Sequence, residues 1–336
     1  MDENDEFNVA EDIEVIYSDG EDEDEGDAIE NMLDEFTIEE NEDEIETEII
    51  DESIITFSKH SKSVFCSDLG KDDQLAITGG EDDIAYLWNT SSAEVVLECT
   101  GHKDSVTDVA FNYDNQYLAT ADMSGMIQVW SVEQKKLVWC FEGDDMEWMS
   151  WHHKANVLFS GYEDGLLRLW NIKETHSEWS NTQNETITSI DINGDGTLGI
   201  VAPGAMMFKM SDGKIISTLL ASGEKEIESG LFDNKLGIVA TGSISGHLCV
   251  WDISKQILRH QAKIECAVTI LKWGKDEKVF VGGSDGAIYV CDAKNGTLQR
   301  TLTGHRADIL SISVFNDDTK ILTTSDDGTA KIFKII

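Results

Sequence analysis

The residues of this 336-residue sequence whose types and spacing come nearest to chemistry are Asp191-Ile192-Asn193-Gly194-Asp195-Gly196, which open like a calcium loop, and His152-His153, which set two imidazoles side by side. A calcium loop of that kind closes with a bidentate Glu at its twelfth position, where this chain has Ala202, so no calcium is expected. Adjacent histidines in a strand point to opposite faces and no third ligand is spaced to join them, so they read as a surface turn. The six cysteines, at 66, 99, 140, 249, 266 and 291, contain no CxxC pair and read as reduced core residues. With no phosphate-cradling glycine loop and no GxSxG elbow, neither an enzyme nor a cofactor or metal is expected.

What the chain holds in excess is carboxylate. Its formal net charge is −41, and residues 1–52 contribute 26 Asp and Glu with no Lys or Arg, which leaves −15 for residues 53–336. Such a chain repels nucleic acid and anionic membranes and attracts a basic protein. The first 52 residues bury too little apolar surface to offset the entropy of ordering, and a disordered acidic tail is expected there. Within it Ile29, Met32, Leu33 and Phe36 fall at helical spacing, enough for a short amphipathic helix on a partner. The acidic start lacks the basic, apolar pattern of a secretory signal, so the expectation is a monomer in the cytoplasm, with the nucleus as a second location.

The elements that must position any site are repeats. His60 precedes Trp88 by 28 residues, and the same interval separates His102 from Trp130 and His305 from Phe333. Taking the tryptophan position as a ruler gives Trp88, Trp130, Trp170, Phe208, Trp251, Cys291 and Phe333, in steps of 42, 40, 38, 43, 40 and 42. Around these positions lie alternating runs such as Ile84-Ala85-Tyr86-Leu87-Trp88, closed by Asp-Gly turns at 164–165, 285–286 and 327–328. That is the signal of strands joined by hairpins, about four per period.

Gly101-His102, Gly304-His305 and the runs ending in Trp88, Trp130, Trp170 and Trp251 resemble the WD40 family. The resemblance implies an all-β, seven-bladed β-propeller over residues 53–336, with residues 53–58 supplying the outer strand of the last blade. It also implies a buried hydrogen-bond network in each blade, complete in blade one as His60, Thr78, Asp82 and Trp88. Its counterparts elsewhere are His102 and Trp130, Asp164 and Trp170, Trp251, Asp285, and His305 with Asp327. Ser124 is expected to replace the network Asp in blade two, Ala202 in blade four and Ser245 in blade five, while Phe333 replaces the Trp in blade seven. These histidines are expected to hold turns rather than to react.

The entrances to the first strands and the turns between the second and third meet at one end of a propeller, and there this chain is acidic. The expected binding face carries Glu81, Asp83, Asp104, Asp122, Asp144, Asp145, Glu147, Glu163, Asp308 and Asp326, interleaved with Met123, Trp148 and Tyr162. Carboxylates packed within a Debye length sum their potentials and capture a basic peptide, while apolar neighbours hold its Arg and Lys stems.

Over residues 78–151 the resemblance narrows. Thr78-Gly79-Gly80-Glu81-Asp82-Asp83, the run 99–107, Ala121-Asp122-Met123-Ser124-Gly125 and the run 141–149 resemble the angio-associated migratory cell protein family, which includes a yeast WD40 protein that chaperones a basic large-subunit ribosomal protein. That resemblance implies an escort for such a protein during 60S assembly; the competing expectation attached to the family is a scaffold for signalling or cell migration.

Overall fold

Alternation of β-branched and aromatic residues with small polar ones gives each repeat strands whose two faces both meet a neighbouring sheet, and the closing turns space those strands into hairpins. A computed structural model describes residues 49–336 except 144, 153, 163–166, 173–188, 193–196, 203–204, 210–214, 220–226, 234–236, 276 and 336. Its strands form seven antiparallel sheets, the blades of a seven-bladed propeller. Blade one spans 64–99, blade two 106–142, blade three 146–171, blade four 189–218, blade five 227–263, blade six 268–302 and blade seven 309–334. Six sheets have four strands and blade three has three among the described residues.

Except between blades three and four, the first strands of adjacent blades lie side by side around the axis, so blades are stitched together there. Asp68 Oδ2 accepts the Phe111 N–H at 2.8 Å, Asp108 Oδ2 that of Met149 at 2.7 Å, and Asp191 Oδ2 that of Phe232 at 2.7 Å. Trp273 Nε1 donates to Leu231 O, Thr269 to Ile309 O, and Ser67 meets Ser311 at 3.0 Å. Each bond crosses between blades and satisfies a polar group that the packing would otherwise strand. Asp191, the first residue of the calcium-like run, is therefore engaged as an inter-blade clamp; the loop 193–196 lies outside the described residues.

Register shows a feature the sequence does not announce. In six blades the first strand carries an extra residue near its start: Phe65, Thr107, Glu147, Glu228, Thr269 and Leu310 each sit between two pairs that flank a single step on the partner strand. Such bulges bend a strand and re-aim a side chain at the end of a sheet. A second bulge falls opposite the tryptophan position, as where Leu87 pairs with Leu97 but Trp88 with Val95.

The ring closes between the two ends of the described chain. Ser53–Phe57 pairs antiparallel with Ala330–Lys334, so blade seven takes its outer strand from the N-terminal side. Phe57, 1% exposed, stacks on Trp88 of blade one with ring centroids 4.7 Å apart. The folded part reaches further back than the boundary drawn at residue 52. Glu52 N–H donates to Thr303 O, Arg300 donates to Glu52 at 3.3 Å, and Lys331 donates to Asp51 at 2.5 Å. A Cβ at Gly304 would come within 2.6 Å of Asp51 Oδ1 and 3.1 Å of the Phe333 ring, so a larger residue there would push on the tie that Asp51 makes to Lys331.

Candidate functional site

The backbone bonds Glu81 N–H to Ser63 O, Met123 N–H to Ser105 O, Ser284 N–H to Ala267 O and Asp326 N–H to Asp308 O join the entrance of a first strand to the turn between the second and third. They put these loops of blades one, two, six and seven at one end of the ring. Under that end lie the His networks. His60 Nδ1 donates to Asp82 at 2.9 Å and its Nε2 meets Thr78 Oγ1 at 3.0 Å. The same arrangement joins His305 to Asp327 and Thr323, at 2.9 Å each.

Blade two corrects the sequence reading. His102 Nδ1 donates to Asp122 at 3.0 Å, and Asp122 also accepts the Lys103 and Met126 N–H groups and the Ser124 hydroxyl. The network acid is thus Asp122, two positions earlier than Ser124, and it is 0% exposed rather than on the binding face. Burial by itself would raise its carboxyl, but these donors, led by His102, hold it down at about 2. The signal was present: the His-to-Thr separation is 18 in all three blades, while His-to-Asp is 22 in blades one and seven and 20 in blade two.

The tryptophans also depart from expectation. Nε1 of Trp88 and of Trp130 meets no acceptor, while the Thr hydroxyl of each of those blades contacts its histidine. In blades three and five, Trp170 donates to Ser160 at 3.1 Å and Trp251 to Thr241 at 2.9 Å. Blade six substitutes a set no motif foretold: Asp285 accepts the Tyr289 hydroxyl at 2.5 Å, with the Cys266 thiol 3.8 Å from the same oxygen. Asp285 is thus exposed and bonded to tyrosine. Cys140 is exposed too, not a core residue.

Above the networks Asp83, Asp104, Asp145 and Asp326 are exposed, Glu81 retains 43% of its side-chain surface, and Asp308 is half-buried. Glu147, on the bulge of blade three, is half-buried, and Met123 is 52% exposed. Trp148 is half-buried, packed so closely on Gly161 that a Cβ there would meet its indole at 2.3 Å. Tyr162 is 3% exposed, with the Arg168 guanidinium 4.6 Å above its ring, so it supports the site from beneath instead of lining it. Asp144, Glu163 and Asp164 lie outside the described residues, as do His153, Pro203, Glu224 and Glu226. Sequence reasoning missed Glu228 and Glu265, both exposed: Glu228 occupies a bulge, and Glu265 precedes the first strand of blade six.

Two cations at this end pair with carboxylates: Lys62 lies 3.4 Å from Glu81 and Lys103 is 2.7 Å from Glu142. The turns at the other end expose Lys71, Lys135, Lys154 and Lys275 beside the carboxylates Asp72, Glu133 and Asp317, while Lys255 and Lys294 pair with Asp252 and Glu277. The carboxylates exposed at the first end set up a field that draws in and orients an approaching basic chain before contact. Among the described residues no cluster of His, Cys, Asp and Glu could hold a metal, and no helix is long and apolar enough to cross a membrane.

Nearer the axis, burial pushes the Asp108 carboxyl up to about 7, and the charge of Asp68 pushes it the same way. A carboxyl whose value rises on folding stabilises the folded state below about pH 4, and that stability is lost as pH rises towards 7. Asp108→Asn, which keeps an acceptor for Met149 N–H, is expected to raise the melting temperature by about 2–5 °C at pH 8 and hardly change it at pH 4. Scanning calorimetry at both values checks this, and equal shifts would remove the titration from the account.

The WD domain, G-beta repeat model matches residues 51–89, 93–131, 135–171 and 296–334. The chain is 33% identical over 347 residues to the Homo sapiens angio-associated migratory cell protein, covering 84% of this chain and 80% of that one. It is 23% identical over 397 residues to the ribosome assembly protein SQT1 of Saccharomyces cerevisiae, covering 91% and 92%. The crystal structure of Chaetomium thermophilum Sqt1 bound to the N-terminus of the ribosomal protein L10 superimposes with a TM-score of 0.75 at 18% identity, covering 85% of this chain and 100% of that one, a likeness of fold.

Proposed function

The chain belongs to the angio-associated migratory cell protein family of WD40-repeat proteins, and from that premise we propose that it is a cytoplasmic, non-enzymatic escort for a basic segment of a large-subunit ribosomal protein. The observation that carries the reading is the gathering of exposed carboxylates, with exposed Met123 among them, at one end of the propeller. A segment dense in Arg and Lys, made for ribosomal RNA, binds any polyanion it meets first; an acidic surface that occupies it prevents that. The segment suggested by the relatives is the N-terminus of ribosomal protein L10, which the Chaetomium thermophilum structure holds. A role in 60S assembly is supported by the name of the Saccharomyces cerevisiae relative.

A synthetic peptide of the host L10 N-terminus, titrated into the full chain by calorimetry, is expected to bind with sub-micromolar affinity. The affinity is expected to fall about tenfold between 0.1 and 0.3 M salt, because exposed charge pairs are screened over that range. Absence of binding, or binding indifferent to salt, would remove the reading in favour of a scaffold for signalling proteins.

A further inference from the structure

At the seam where the ring closes, an open cleft of about 660 Å³ runs between blades one and seven at the acidic end, with Ser61, Lys62, Ser63 and Glu81 on one wall and Asp326 and Asp327 on the other. Its carboxylates fall into two classes. Asp327 is committed to His305 and to the Arg306 N–H, as Asp82 beside the cleft is committed to His60 and the Ser61 N–H. Glu81 and Asp326 have no histidine. Asp326 accepts the Ser63 hydroxyl across the seam, and Glu81 faces the Lys62 ammonium at 3.4 Å.

The cleft thus already holds a cation, tethered to its own wall. That pair is 56% and 43% exposed, the kind of contact that water and competing ions readily displace. An ammonium is a point charge and satisfies one carboxylate at a time. A guanidinium carries five donors in a plane and can bridge carboxylates on facing walls. We propose that this cleft is the receptor for an arginine side chain of the basic client, and that Lys62 is its built-in competitor, leaving Glu81 when the arginine enters. The proposal rests on the acidic-end reading and deepens it, since it names the side chain recognised and the place.

Lys103 provides the control, because it has the same 56% exposure and its own glutamate, yet lies outside the cleft. The probe is a 12-residue synthetic peptide with three arginines, alongside its all-lysine counterpart, titrated into the full chain. Lys62→Ala is expected to tighten the arginine peptide about fivefold and the lysine peptide less than about twofold, whereas Lys103→Ala changes either by less than about twofold. Asp326→Asn, which keeps an acceptor for Ser63, is expected to weaken the arginine peptide about tenfold. Equal shifts from Lys62→Ala and Lys103→Ala, or an unchanged affinity for Asp326→Asn, overturn the cleft while leaving the acidic end standing. Failure of the unaltered protein to bind the arginine peptide overturns both.

Discussion

A chain lacking residues 1–58 is expected to show no cooperative thermal transition, whereas one lacking residues 1–45 melts within about 2 °C of the full-length protein. Truncation at 58 removes the whole ladder between Ser53–Phe57 and Ala330–Lys334 and uncovers an edge bearing Ile332 and Phe333, both essentially buried. It also removes Phe57, whose loss from its stack on Trp88 alone corresponds to about 3–5 kcal/mol for a buried Phe→Ala change. Against a typical folding stability of about 5–15 kcal/mol, that contact and the strand's hydrogen bonds together consume most of the margin. Truncation at 45 touches none of the ties that Asp51 and Glu52 make to Lys331 and Arg300. Circular dichroism melts of both variants decide the matter: matching midpoints would mean that the strand is decoration, and the ring is held by its blades alone.

The second large effect concerns affinity. Replacing Glu81, Asp83, Asp145, Glu147 and Glu163 together by Lys is expected to reduce binding of the L10-type peptide at least about a hundredfold, or about 2.8 kcal/mol. Each site contributes modestly, since exposed pairs are weak, but reversing five charges together turns a summed attraction into repulsion. The described members are exposed or half-buried, so the fold should survive with its melting temperature shifted by a few degrees at most. Lys71→Glu with Lys135→Glu, at the opposite end, serves as the control and should leave affinity within about twofold. If the five-fold reversal left peptide affinity intact, this end of the propeller would not be the binding face.

The architecture was legible because it is periodic: the tryptophan ruler finds the blades even where Phe208, Cys291 or Phe333 stands in for tryptophan, since each position is a third strand of a sheet. The networks were legible only where spacing is conserved between blades. Asp122 was misplaced because in blade two the acid moves from the turn to the end of the second strand, Tyr117–Asp122, where none of it is exposed. The Asp285–Tyr289–Cys266 set escaped for a related reason: its hydroxyl comes from the third strand, where the other networks have none. The bulges that place Glu147 and Glu228 belong to register, which alternation fixes only up to an insertion. The seam cleft was invisible because its walls, near residues 61–63 and 326–327, become neighbours only when the ring shuts.

That last closure has a temporal side. Asp51 and its partner Lys331 are separated by 280 positions in the chain. At a synthesis rate of about 5–20 residues per second, the N-terminal strand waits roughly 14–56 s for its mate to be translated. Any product of premature termination therefore keeps an open hydrophobic edge for proteolysis to find, and the two walls around Ser63 and Asp326 are never joined in it. Under the proposed function, competence to engage a client becomes a certificate that translation has passed Lys334.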